Sequence, residues 1–168
     1  MKRLGCLAIV AVVVIGLILV VTHGSSSSTS AAQATPATLG KVGDTLTHGD
    51  WAVTLNSMKT ADTLGDTGFQ KKAQGTYVVL TVTLKNVSKE TTIINGSDFT
   101  LTTKDGTKYK TSSDGSLALS SATPAPLIAL EQIQPQLSKQ YQVVFDVPNT
   151  TTTYTLSAAG NLFQITAP

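Results

Sequence analysis

The residues able to do acid–base or ligand chemistry are few and poorly spaced for it. Beyond residue 22 the chain carries His23, His48, a single tryptophan at position 51, and no cysteine. A serine nucleophile needs a base oriented beside it, and His48 is the one candidate in the part that can fold. No Gly-x-Ser-x-Gly elbow occurs. His48-Gly49-Asp50 reads more simply as the turn leading into the strand that begins at Trp51. A zinc centre takes three or four His, Cys or carboxylate ligands, which His48 cannot anchor alone. Asp62 and Asp66 flank Gly65, and with Asp44 or Asp50 they could form a calcium set. Their spacing matches no calcium loop, and turn formation accounts for them better. The sequence therefore predicts a protein that is not an enzyme, with no cofactor and no metal.

Charge narrows the partners further. The chain has 12 basic and 10 acidic residues, and setting aside Lys2 and Arg3 leaves 10 against 10. A nucleic-acid binder needs a net basic face to displace counterions from phosphates, so no nucleic-acid partner is expected. Lys104, Lys108 and Lys110 gather around one turn and read as solvated lysines guarding a hairpin edge. Asn-x-Ser/Thr triplets begin at Asn86, Asn95 and Asn149. They are glycosylation acceptors in one reading and turn residues of a threonine-rich chain in the other.

The elements that must carry these residues begin with LGCLAIVAVVVIGLILVV, Leu4–Val21, preceded by Lys2 and Arg3. At about 1.5 Å of helical rise per residue this uncharged stretch spans roughly 27 Å, close to the hydrocarbon thickness of a bilayer. A secretory signal has a shorter apolar core and a small-x-small cleavage site close behind it. Thr22-His23-Gly24 is a poor site and Ala32-Gln33-Ala34 lies far downstream, so length favours an uncleaved anchor over a removed signal. Cys6 lies at the very start of the apolar run, at its inner edge, the wrong side for lipid attachment at the outer face. The two cations place the N-terminus in the cytoplasm and the remainder outside. Residues 1–22 are thus read as a membrane anchor or signal segment. HGSSSSTSAAQATPAT, His23–Thr38, has almost nothing to bury and reads as a flexible linker.

From Leu39 to Pro168 the hydrophobic period becomes two. TYVVLTVTLKN puts Val78, Leu80, Val82 and Leu84 on one face, WAVTLNSMK aligns Trp51, Val53 and Leu55, and QYQVVFDVP aligns Tyr141, Val143, Phe145 and Val147 before Pro148 stops the ladder. FTLTTKDGTKYK reads as a hairpin with a two-residue Asp105-Gly106 turn. Further strands are expected at Thr91–Ile94, Thr153–Ala158 and Leu162–Thr166. No stretch after Val21 shows a sustained helical period. Seven or more short strands in about 130 residues mark an antiparallel β-sandwich, one domain preceded by one transmembrane helix.

GTYVVLTVTLKNVSKE, SDFTLTTKDGTKY and VVFDVP, in that order, resemble the blocks of an uncharacterised bacterial extracytoplasmic domain family. Its members are commonly lipoproteins or membrane-anchored proteins of Gram-positive bacteria. The resemblance implies an immunoglobulin-like fold similar to that of the mycobacterial immunoprotective extracellular protein, and a cell-surface location; it implies no activity. Two positions depart from the family pattern. Pro135 is followed by Gln136 where the family has glycine, and the usual lipid-modified cysteine is missing.

Binding is the remaining class, and two segments give it content. Ser116–Gln136 is long for a sandwich connection and carries Leu127 and Ile128, candidate contacts for a partner unless they close the core as a strand or lid. TADTLGDTGFQKKAQG reads as a polar loop in which Phe69 stands isolated, a surface anchor or a satellite core contact. The expected partners are the membrane, through Leu4–Val21, and an extracellular protein or envelope polymer. A recognition or adhesion module, an envelope spacer, and a secreted product released by cleavage all stay open, with an extracellular hydrolase a distant fourth.

Overall fold

The computed structural model describes residues 38–123, 126–150 and 153–167. The apolar stretch Leu4–Val21 and the linker as far as residue 37 lie outside the described residues. Among the described residues no helix is long and apolar enough to cross a membrane.

Two four-stranded antiparallel sheets face one another. The first runs in the order β1 (Thr45–His48), β2 (Trp51–Asp66), β3 (Phe69–Asn86) and β8 (Ser138–Val147). The second runs β10 (Asn161–Thr166), β9 (Thr153–Ala158), β5 (Phe99–Thr103) and β6 (Lys108–Lys110). A two-stranded ladder joins β4 (Thr92–Asn95) to β7 (Leu130–Ile133). The period-two rows supply the core. Val53, Leu55, Val78, Leu80, Val82 and Leu84 from the first sheet meet Phe99, Leu101, Leu156, Phe163 and Ile165 from the second, all buried. Tyr141, Val143, Phe145 and Val147 complete the inner face from β8, as the alternation requires.

Three expectations need correction. First, a ten-residue helix does exist, α1 (Ser113–Ala122). Ser112 caps it, its hydroxyl accepting from the Gly115 N–H at 3.1 Å. Its buried positions are Gly115, Ala118 and Leu119, a helical spacing written mainly in small residues and therefore invisible to a search for large apolar ones. Gly115 is where it approaches the sheet: an added Cβ would stand 2.7 Å from Val144 and 2.8 Å from Tyr77. The helix covers Ala73, Tyr77, Val79 and Val144, a second apolar cluster on the outer face of the first sheet.

Second, TADTLGDTGFQKKAQG is no loop but the outer arm of a long β2–β3 hairpin. Asp66 forms its tip, its carboxylate accepting from the Gly68 and Phe69 N–H groups at 3.0 and 2.9 Å. Its apolar residues Leu64 and Ala73 pack in the outer cluster beside α1 and form no alternating row, which is why it reads as polar loop. Third, the β5–β6 turn is longer than two residues. Thr103 N–H donates to the Thr107 carbonyl at 2.9 Å, leaving Lys104, Asp105 and Gly106 as a three-residue loop, with Gly106 at φ 90°.

The sandwich has two ends. The chain enters at one, where Gly40 pairs in parallel with Phe163 and the β1–β2 and β9–β10 turns lie together. There the Cβ that Gly160 lacks would stand 2.5 Å from the His48 ring. The β2–β3 tip, the β5–β6 turn and the end of β8 lie at the other, which we call the far end.

Candidate functional site

A distortion in β3 builds the far end. Between the pairs Ala61–Tyr77 and Thr63–Lys72 the ladder slips, and β3 carries four residues opposite Asp62. The amides freed by the bulge are taken up by one carboxylate. Asp146 accepts from Gln74 N–H at 2.9 Å through one oxygen and from Gly75 N–H at 3.1 Å through the other. Position 75 admits only glycine, since a Cβ there would stand 2.1 Å from the Val147 carbonyl oxygen. The bulge and the end of β8 are thereby held wall to wall.

Beside them opens a cavity of about 470 Å³, lined by Gln74, Gly75, Tyr109, Asp146, Pro148 and Asn149 among others. Two further cavities measure about 380 and 280 Å³. Tyr109 packs its ring against the core, while Gln74, Pro148 and Asn149 are exposed. The aspartate and both amides are part of the strand and turn blocks that the sequence displays, but only the bulge brings them together. Gly75 inside an otherwise apolar-periodic strand is the one local signal of it.

The residues singled out from the sequence fall elsewhere or alone. Phe69 sits at the hairpin tip, 37% exposed, with the Lys71 ammonium 5.5 Å from its ring centre. Leu127 and Ile128 are both half-buried, packed against the outer and main clusters respectively. Leu127 makes a parallel bridge to Gln142, and the Pro126 carbonyl accepts from the Gln142 N–H at 3.2 Å. The segment thus covers the open edge of β8. It also lines the 280 Å³ groove beside α1, whose most exposed apolar wall is Leu117. The Gln142 Oε1 is sealed in that region without a hydrogen-bond partner.

His48 is exposed at the entry end, remote from the cavity. Asp44 accepts from the Lys41 N–H at 2.8 Å, and Asp66 is engaged at the hairpin tip. Among the described residues no three His, Cys, Asp or Glu side chains come together as a metal site would need. Asp105 forms the β5–β6 turn, where hydrogen bonds from Thr103 and Thr107 hold its carboxyl below the usual range. Asn86, one of the three triplet asparagines, is fully buried. Its amide donates to the Glu90 and Ile133 carbonyls at 2.7 and 2.8 Å and accepts from Ser88 N–H and Oγ–H. Asn95 caps the short 3-10 turn Gly96–Asp98, and Asn149 is exposed.

One further cluster is ionic. Glu131 on β7 accepts from the Lys139 ammonium at 2.8 Å and from the Tyr141 hydroxyl at 3.4 Å. The carboxylate raises the Lys139 pKa, and burial, with the same carboxylate, raises that of Tyr141. The cluster fastens β7 to β8 and faces no cavity described above.

Residues 40–167 match the family described as a domain of unknown function, DUF4352. The chain belongs to the DUF4352 family. No curated protein matches it. Among solved structures, this DUF4352 chain is similar to a conserved hypothetical protein from Bacillus anthracis, with a TM-score of 0.59 and 14% identity over 75% of this chain and 94% of that one. A secreted protein from Mycobacterium tuberculosis, MPT63, gives 0.54 and 16% over 77% and 97%. The yjhA protein from Bacillus subtilis gives 0.53 and 17% over 70% and 78%. At such identities the likeness is one of fold; the family match bears out the resemblance carried by the sequence blocks, and the likeness bears out the fold similarity to the mycobacterial protein.

Proposed function

We propose that this protein is a bacterial extracytoplasmic binding module, immunoglobulin-like in fold and non-catalytic, held at the membrane by Leu4–Val21. Its contact surface is the far end of the sandwich, with Phe69 on the hairpin tip at its margin. The observation that carries this reading is the placement of the 470 Å³ cavity at the end opposite chain entry. That end is the one left clear of the segment at Gly40 through which the chain enters the sandwich. The secreted mycobacterial relative of the same fold supports an external location, and the uncharged length of Leu4–Val21 supports an anchor. Binding is favoured over catalysis because the exposed His48 and the cavity carboxylate of Asp146 lie at opposite ends.

The test is photocrosslinking on intact cells. A photoreactive residue at Asn149 is expected to capture a partner, while one at the exposed Lys89, near the entry end, is not. Equal capture from both positions, or none from Asn149, overturns the assignment of the contact surface.

A further inference from the structure

We infer that the far-end cavity is a subsite for one residue of a neutral carbohydrate, which rests on the reading of that end as the contact surface and names its ligand. Three residues that line the cavity carry side-chain polar groups with no hydrogen-bond partner among the described residues: the amides of Gln74 and Asn149 and the hydroxyl of Tyr109. Each amide offers both a donor and an acceptor, and the phenol does the same. Such groups match hydroxyl and acetamido groups, which also donate and accept.

Charge argues against an anionic ligand. The cavity's carboxylate, Asp146, has both oxygens committed to the Gln74 and Gly75 N–H groups. Lys108 and Lys110 flank Tyr109 on β6, and strand alternation sends them to the opposite face from the ring, which packs inward. Among the described residues no lysine or arginine lines the cavity. Phosphate or carboxylate polymers would therefore find no cation within it.

The apolar contribution comes from two rings, Tyr109 and Pro148. Rings offer flat apolar contact suited to the C–H face of a pyranose, with polar groups around the rim to take its hydroxyls. The volume lies within the usual range of small-ligand sites, about 300 to 1,000 Å³. The close contact of Gly75 with Val147 keeps one wall in place before a ligand arrives. Pre-formed walls reduce the ordering cost of binding.

The experiment uses the full chain in polyoxyethylene detergent micelles, which contain no sugar. Saturation-transfer NMR is recorded with chitotetraose and with cellotetraose, and tetra-alanine serves as the peptide control. Saturation is expected to reach the ring protons of at least one sugar and not the peptide. Gln74→Ala and Asn149→Ala, both at exposed positions, should each weaken sugar binding roughly three- to ten-fold, the usual effect of one hydrogen bond. Tyr109→Phe should weaken it less than either, because it keeps the ring. No transfer to either sugar, or binding unchanged in the Gln74→Ala/Asn149→Ala double variant, overturns the inference. If that happens while Asn149 still crosslinks a protein on cells, the contact surface stands and the sugar assignment alone falls; if Asn149 captures nothing, both fall.

Discussion

Gln136 shows how a single residue can depart from a family's pattern and retain its turn. The chain turns through Gln134-Pro135-Gln136-Leu137, with Leu137 N–H donating to the Gln134 carbonyl at 3.2 Å. Gln136 sits at φ 63°, the left-handed conformation that a glycine adopts without strain. What offsets the strain is its side chain, whose Nε2 donates to the Val87 carbonyl at 3.2 Å and the Ser88 carbonyl at 3.4 Å. Gln136→Ala keeps the strain and loses these bonds, whereas Gln136→Gly loses the bonds and relieves the strain. The alanine variant is expected to be less stable than the glycine variant by about 1 kcal/mol in urea unfolding. Asn86 is the stronger constraint. Its four bonds leave no room for a glycan, so mass analysis of the native protein should find position 86 unmodified. Asn86→Ala should cost roughly 1–3 kcal/mol, because the buried Ile133 carbonyl loses the amide that donates to it, while the Glu90 carbonyl keeps the Ser88 hydroxyl. The departure at Pro135-Gln136 was readable as a departure. The bonds that compensate it were not, since they depend on Val87 and Ser88 arriving from a distant strand end.

Among the elements, what was legible followed one rule. Strands whose inner row meets the opposing sheet declared themselves by period two, and β3 is the clearest, with Val78, Leu80, Val82 and Leu84 fully buried. Val82→Asp would put a carboxylate among them and cost several kcal/mol of a typical total of about 5 to 15. A soluble Val82→Asp variant with an unchanged melting temperature would contradict the packing described. The outer arm of the β2–β3 hairpin and α1 escaped because neither has a large apolar row. They support one another instead. Leu119 packs in one cluster with Tyr77 and Val144, and the Ser121 hydroxyl, which donates to the Ala118 carbonyl at 2.7 Å, accepts from the Asp66 N–H at 3.3 Å. Leu119→Ala should therefore cost about 2–3 kcal/mol. Hydrogen exchange should show the extra opening confined to α1 and residues 59–72, with β9 and β10 unchanged. The cavity followed a different rule: it arises from a register slip, which depends on pairing between strands and leaves in the sequence only a glycine.

For the whole molecule, alkaline stability and location are the quantities to measure. Tyr141 is buried with Glu131 beside its hydroxyl, so its folded pKa lies above its ordinary value of 10.0. Burial, with Asp146 and Asp114, raises Tyr77 as well. A phenol whose pKa is raised on folding favours the folded state below about pH 10, and that stability is lost as the pH climbs through the folded pKa. Lys139, raised by Glu131, changes in the same direction over the same range. Stability is expected to fall steadily above about pH 10, and Tyr141→Phe should flatten the decline. Flatness already present in the native protein would refute this. Membrane fractionation with and without Leu4–Val21 tests the anchor, the intact chain staying with the membrane and the shortened one leaving it. Recovery, from cells making the full-length chain, of free protein that begins beyond residue 24 would replace the tethered picture with a released one.

The parallel pairing at Gly40 has a mechanical consequence. Gly40 N–H donates to the Leu162 carbonyl at 3.0 Å, and the Gln164 N–H donates to the Gly40 carbonyl at 2.7 Å. Traction applied from the N-terminal side runs along β10, across both bonds at once, so they are loaded in shear and must break together. The Gly40 backbone also lies against the Phe163 ring, where a Cβ would stand 2.8 Å away. A bulkier residue there would pry the clasp open. A pull on the chain ahead of Gly40 would thus pass its load directly to the last strand.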